Sequence, residues 1–354
     1  MAGRLALLVG SILLSLGALE LGLRFAQGGW DGLAHWPNLV LQGRTVSWAT
    51  GSSSRAVHHP RLGFVGRPNY RSSDGELGYD ARGLRLTPAP EGVTLAEPPI
   101  LVVGDSFAHG DEVRDDESWP ARLQALLKRR VVNAAMSGYG IDQMVLRAEI
   151  VAAEAKPAAI ILSFIADDVR RAEMQRVWGV EKPYFEWVDG RLVERNVPVP
   201  PPPDPRRTLN VWQRAFGWSV LLDTVLKAVG WHYEWMVDYA RVLPRGEGER
   251  LACPLLERLA AISVPVLVVA EYDPYHWQDE DWRAVTRKTD DAVLACASAA
   301  GLATLDLFET IDEGVRQQGL WTIYRRAHPA PPGTALAAKR IAAELARHIP
   351  AKAR

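Results

Sequence analysis

Apolar residues along this chain fall into two kinds of run. The first is one long stretch near the start. No residue between Leu5 and Leu19 is charged, and Glu20 is the only charge before Arg24. The run from Leu5 to Leu23 approaches the roughly 20 apolar residues that cross a bilayer. It carries no amphipathic period, and Arg4 and the amino terminus supply a positive flank. This predicts an uncleaved signal anchor over residues 1–24. A cleaved signal peptide is the other reading, although Gly17-Ala18 makes a poor cleavage site. Flanking charge leaves the orientation open, because Arg24 and Arg44 stand beyond the run.

The second kind of run is short, rich in β-branched residues and separated by helical periods. Ile100 to Val103, Val131-Val132, Ala158 to Phe164, Val264 to Ala270 and Leu302 to Leu307 read as strands. Helical spacing appears over Ser118 to Arg130, Ile141 to Ala155, Asp281 to Ala300 and Thr334 to Ile349. Strands that are apolar throughout, alternating with helices, mean a parallel sheet covered on both faces. The expected class is therefore α/β.

Between Arg171 and Arg250 the rhythm breaks. Val197 to Pro205 is proline-rich loop. Leu209 to Tyr239 reads as helix and carries Trp212, Trp218, Trp231 and Trp235. An insertion over about 172–250, forming a cap, fits this pattern, with its aromatics packed against the sheet or stacked on a sugar or acyl chain. Residues 25–98, rich in Gly, Pro, Ser and Arg, form a juxtamembrane lead-in. The main domain then runs from 99 to 350.

Composition narrows the function classes. A formal net charge of -1 across 354 residues, with no basic stripe, gives no reason to expect nucleic acid as a partner. Cys253 and Cys296 stand far apart in helical stretches without ligand spacing, which reads as two buried free thiols. No metal and no cofactor are implied. His58-His59 lacks further ligands at metal spacing and reads as surface loop. Asp111, Glu112, Asp115, Asp116 and Glu117 form an acidic run that reads as a solvated loop and helix start.

In open α/β sheets ligands bind at the carboxyl ends of the strands. Those ends hold Gly104-Asp105-Ser106-Phe107, then Asn133-Ala134-Ala135-Met136-Ser137-Gly138, then Phe164-Ile165-Ala166-Asp167-Asp168. His328-Pro329-Ala330-Pro331 precedes the last helix. As an ordered set, these blocks resemble the SGNH/GDSL hydrolase family. The lead-in is similar to that of its membrane-anchored bacterial members, with Glu20 and Arg24 ending the apolar helix and Leu62-Gly63-Phe64 and Pro68-Asn69 following. The resemblance covers about 99–349 apart from the insertion. It implies a flavodoxin-like three-layer sandwich. Ser106 then matches the nucleophile and His328 the base, with the Ser106 backbone, Gly138 and the third-block position serving the oxyanion. Asp105, Asn133 and Asp168 are supporting residues. His109, three residues after Ser106, is a weaker candidate for the base.

Two positions depart from the family pattern. Asp167 stands where an oxyanion-binding Asn is expected, and a carboxylate accepts hydrogen bonds but cannot donate them. Arg325 and Arg326 stand where an Asp normally precedes the His. Positive charge there would weaken His328 as a base, and loss of a triad acid costs up to about 10⁴-fold in rate. Two functions follow as expectations. One is a serine esterase or acyl (acetyl) transferase acting on a cell-envelope glycan or lipid, with its body periplasmic or otherwise extracytoplasmic. The other is a catalytically impaired relative that binds a glycan or a partner.

Overall fold

The structure, a computed structural model, describes residues 2–45, 54–94, 96–177, 180–202, 209–237 and 246–348. The chain divides into two compact units. One comprises Met1–Gly51, Trp178–Val180 and Pro202–Leu243; the other comprises Ser52–Val177, Glu181–Pro201 and Pro244–Arg354.

The larger unit is built on five parallel strands in the spatial order Ala303–Asp306, Val266–Ala270, Ala159–Phe164, Ile100–Gly104, Val131–Asn133. Numbered along the chain this order is 2-1-3-4-5 read from the Val131 edge, the flavodoxin-like arrangement. The expected α/β class and three-layer sandwich therefore stand. Burial explains why the strands carry no polar face. Ile100 and Val102 join one core with Trp119, Leu123, Ile341 and Leu345. Leu101 and Val103, on the opposite face, are also fully buried.

Helix starts and stops follow local signals. Ser118 accepts from the Ala121 N–H and opens Trp119–Leu127. The helix Ile141–Ala155 has the boundaries that its period predicts and ends where Lys156 turns left-handed ahead of Pro157. The closing helix is described as Pro331–His348, so its expected end at Ile349 lies outside the described residues. Two helices escaped the sequence reading, Gly248–Ala260 and Phe308–Gln318. In the lead-in, Ala56–His59 and Gly63–Gly66 pair as a hairpin. His58 Nε2 meets the Val199 carbonyl, and His59 Nδ1 accepts from the Arg61 and Leu62 N–H groups, so this histidine pair holds loops.

Cys253 and Cys296 are not free thiols. They are bonded to each other, with their Cα atoms 4.9 Å apart, and tie Gly248–Ala260 to Glu280–Ala299. Two helices packed side by side brought together positions that the sequence spaces widely.

The smaller unit begins with one helix, Ala2–Ala34, interrupted only where Gly29 adopts φ 57°. Residues 3–34 are long and apolar enough to cross a membrane. Val211–Phe216, Val220–Ala228 and His232–Val237 pack in this same unit. The sequence suggested a single helix from 209 to 239, but Ser219 caps a new start at Val220, and Gly230, at φ 78°, separates that helix from His232–Val237. Tyr239 lies outside the described residues. Of this unit's tryptophans, Trp212 and Trp231 are 64% and 67% exposed instead of packed, and Trp218 packs on Trp36 with ring centroids 5.3 Å apart.

Candidate active site

The site lies at the carboxyl edge of the sheet, where Ile100–Gly104 turns sharply into the one-turn helix Ser106–His109. The tightness of this turn demands a glycine. A Cβ on Gly104 would come within 2.7 Å of the Ala108 side chain and 2.8 Å of the Ser163 carbonyl. Asp105 caps the helix, its carboxylate accepting from the Phe107 N–H at 2.9 Å. Ser106 follows as the first helical residue, where a backbone N–H has no partner within the helix.

His328 arrives from the far end of the chain on a short bridge between the segments Tyr324–Arg325 and His328–Pro329. Its Nε2 lies 2.9 Å from Ser106 Oγ. The Phe107 ring meets the imidazole edge-on at 5.5 Å and fixes its plane. Ser106 Oγ also lies 3.2 Å from Asp105 Oδ2. A hydroxyl has one proton to give, and the shorter contact is the one to His328.

A carboxylate reaches the other side of the imidazole from elsewhere in the chain. Glu112 Oε1 lies 3.3 Å from His328 Nδ1. With Nε2 accepting the serine proton, Nδ1 must carry its own and donate it to this carboxylate. Arg325 Nη1 donates to the Glu112 carbonyl at 3.3 Å. Glu112 reaches the site because Gly110 ends the helix in the left-handed conformation and Glu112 itself adopts φ 66°. An acidic run directly after a helix-stopping glycine, six positions past the serine, was the available signal.

The rest of that run is solvated only in part. Asp111 is paired with Arg55, accepts from Ser137 Oγ at 2.8 Å and contacts His109 Nδ1 at 2.6 Å. His109 and Arg55 beside it hold the Asp111 carboxyl far below its usual range. His109 is fully buried, with its Nε2 on the Tyr79 hydroxyl at 2.9 Å. Burial lowers its imidazole to about 4, so it serves as neutral scaffold and makes no contact with Ser106. Asp115 is mostly buried and pairs with Arg71 and Arg85, whereas Glu112 and Asp116 are exposed.

The other sequence candidates meet at the same edge. Asn133 is buried; its amide donates to the Ala108 carbonyl at 2.9 Å and its oxygen accepts from the Ala135 N–H at 3.1 Å. It thereby ties the second block to the serine helix. Gly138 adopts φ 79°, which turns the backbone between Ser137 and Tyr139. Asp167 is bound by two guanidiniums, those of Arg170 and Arg171. Asp168 is fully buried, accepts from the Ile165 N–H at 2.9 Å and pairs with Arg171 at 2.5 Å. Burial pushes the Asp105 and Asp168 carboxyls up, and the charge of Asp105 adds to the rise at Asp168, while Arg171 opposes both shifts. Behind them, Glu271 accepts from the Trp119 indole at 3.0 Å and from Ser163, and burial drives it up to about 8.

Beside the third block opens a cavity of about 430 Å³, whose lining includes Asp167, Arg170, Glu249, Trp282, Thr286 and Thr289. Among the described residues there is no group of three or more His, Cys, Asp or Glu side chains placed to hold a metal ion.

Residues 102–336 match the family model of the GDSL-like Lipase/Acylhydrolase family. Similar solved structures include a member of the lipolytic protein G-D-S-L family from Veillonella parvula. It is 16% identical, the match covers 69% of this chain and 95% of that one, and the TM-score is 0.40. Another is an acetylxylan esterase from Geobacillus stearothermophilus, 15% identical, with 74% of this chain and 100% of that one covered and a TM-score of 0.43. A hydrolase from the metagenome of Lake Arreo, Spain, is 16% identical, over 72% of this chain and 97% of that one, with a TM-score of 0.44. No curated protein sequence matches significantly.

Proposed function

This chain belongs to the GDSL-like lipase/acylhydrolase family, a family of ester hydrolases, and from that premise we propose that it is a serine esterase or acyl transferase working through Ser106, His328 and Glu112. The observation that carries the proposal is the 2.9 Å contact between Ser106 Oγ and His328 Nε2, made across 222 positions of chain. That distance lies within reach for general-base catalysis.

In the proposed reaction Ser106 Oγ attacks the ester carbonyl while His328 Nε2 takes its proton. Glu112 holds the ring in the tautomer that leaves Nε2 free and stabilises the imidazolium that forms. The Ser106 and Gly138 N–H groups face the developing oxyanion. Collapse breaks the ester C–O bond, and His328 returns the proton to the departing alkoxide. Water or a second hydroxyl, deprotonated by His328, then releases the acyl group from Ser106.

The substrate we propose is an acylated glycan or lipid of the cell envelope. The cavity beside Asp167 supports a ligand with both polar and apolar parts: Val169, Trp282 and Val285 give it apolar wall, and Asp167, Arg170, Glu249, Thr286 and Thr289 give it hydrogen-bonding groups. The placement we propose is a body outside the cytoplasm behind a membrane anchor. The apolar helix supports it, and so does the Cys253–Cys296 disulfide, since such bonds persist mainly in oxidising compartments.

One observation favours the non-catalytic alternative. Asp167, at the donor position of the third block, is a carboxylate bound by arginines. A fluorophosphonate probe on the full-length protein separates the two readings. Labelling that disappears in Ser106→Ala, with matching loss of aryl-acetate hydrolysis, supports the enzyme. Absence of labelling in active-site-intact protein, or labelling that survives Ser106→Ala, overturns it.

A further inference from the structure

Within the smaller unit, the N-terminal helix has its polarity inverted for a helix in water. Leu5, Leu13 and Leu14 are 63%, 64% and 77% exposed, whereas Glu20 and Arg24 are 6% and 3% exposed. Such a distribution suits lipid, where charges must find partners inside the protein.

The partners come from the insertion. Glu20 accepts from Ser219 Oγ at 2.8 Å and from the Val220 and Leu221 N–H groups at 2.9 Å each, and Arg24 Nε donates to it at 2.7 Å. These are the N–H groups that open the helix Val220–Ala228, so a carboxylate of the apolar helix caps a helix of the insertion. Arg24 donates onward to the Trp218 carbonyl and to the His35 carbonyl at 3.1 Å, and its guanidinium lies 3.9 Å over the Trp36 ring. The end of the apolar run is thus fastened to the insertion by charged groups that are themselves satisfied.

Around this junction the surface is apolar and aromatic. Trp30, Val211, Trp212 and Trp231 are 64% exposed or more, and Val225 and Val229 about half exposed. Exposed residues of this size in one small unit mark an interaction surface. Tryptophan beside short helices with an apolar face is what a membrane–water boundary selects.

We propose that the insertion is a membrane foot, its exposed tryptophan face seated in the headgroup and acyl boundary of the same phospholipid bilayer that the N-terminal helix crosses. This replaces the cap expected from the sequence, and it rests on the reading of the N-terminal helix as an anchor. Continuity chooses the occupant. Glu20 sits at the end of the apolar run and holds the insertion directly, so helices fastened there lie at the depth where the bilayer ends.

The test places nitroxide labels on single cysteines in the full-length protein, in vesicles of phosphatidylethanolamine and phosphatidylglycerol. Cys253 and Cys296 are bonded to each other and do not compete. Trp212→Cys and Trp231→Cys report the foot, Leu13→Cys the span, and Tyr275→Cys, on the larger unit, the aqueous reference. Expected is an oxygen-to-nickel-complex accessibility ratio at 212 and 231 several-fold above that at 275, with the highest ratio at 13. If 13 reads as lipid but 212 and 231 match 275, the foot is overturned and the anchor stands. If 13 reads as water, the anchor falls and the foot with it. If 212 and 231 are shielded from both relaxing agents, protein covers them, which also overturns the proposal. Glu20→Ala is expected to lower the ratio at 212 and 231 while leaving 13 unchanged.

Discussion

Glu112 Oε1 stands 3.3 Å from His328 Nδ1 although 216 positions separate the two residues. The carboxylate comes from the loop that follows the nucleophile instead of from the residues before the histidine. Glu112→Gln is expected to lower kcat by roughly 10²- to 10⁴-fold, by analogy with the loss of a triad acid, with KM changed far less. Glu112→Asp should recover part of the rate. An unchanged rate would leave the carboxylate no role in positioning His328.

Asp167 is the second test. A good oxyanion donor is worth roughly 2.7–4 kcal/mol, so an Asn at that position would be expected to raise activity strongly if the side chain faced the oxyanion. Here both carboxylate oxygens are engaged by Arg170 and Arg171, which offsets the charge and turns the group toward the helix. Asp167→Asn is therefore expected to change kcat less than about threefold on an aryl acetate, well short of a full donor, and to lower the melting temperature slightly. A gain of tenfold or more would show that the side chain does face the oxyanion.

Asp290 offers a pH-dependent stability. It is fully buried on Glu280–Ala299, and neither carboxylate oxygen has a hydrogen-bond partner. Burial pushes it up to about 8, Arg287 opposes the shift, and Asp306, Asp291 and Asp273 add to it. Its folded value exceeds its unfolded value of about 3.8, so the native state keeps a proton that the unfolded state has lost. Stability then falls as pH rises from about 4 to about 8, with a limiting slope of about 1.4 kcal/mol per pH unit from this group, and levels off above. Asp290→Asn should be more stable than wild type at pH 8–9, with the advantage shrinking toward pH 4. Parallel melting curves of the two proteins across pH would contradict this.

The disulfide closes a loop with a sequence separation of 43. Chain entropy assigns such a closure about 4 kcal/mol. Cys253→Ser and Cys296→Ser, singly or together, should each lower the denaturation midpoint by an equivalent amount, and a reducing agent should do the same to wild type. A reductant-insensitive midpoint would show that the helix packing alone carries this stability.

Much of the fold was legible because its causes are local. Apolar runs long enough to be strands, helical period and capping residues such as Ser118 specify elements without reference to distant chain. Ser106, Gly138 and His328 were singled out as candidates by their resemblance to the family's blocks, each in a short block at a strand end or helix start, where the backbone itself sets the geometry. The insertion was legible only as an interruption. Its helices were merged into one because the breaks, at the Ser219 cap and at Gly230, fall within an otherwise apolar stretch.

The sequence by itself determined the α/β class, the apolar N-terminal helix and the three blocks at the sheet edge, and it singled out Ser106 and His328 as the proposed reactive pair. Only the tertiary structure decided that Glu112 meets His328, that Asp111 is half-buried and paired with Arg55 and His109, that Cys253 bonds Cys296 and that Glu20 caps the insertion. Each of these is a pairing between residues whose types occur just as often unpaired on a surface. A carboxylate in an acidic run looks the same whether it faces water or an imidazole. What distinguishes the two is desolvation and a partner at hydrogen-bond distance, and both arise only when distant segments are packed together.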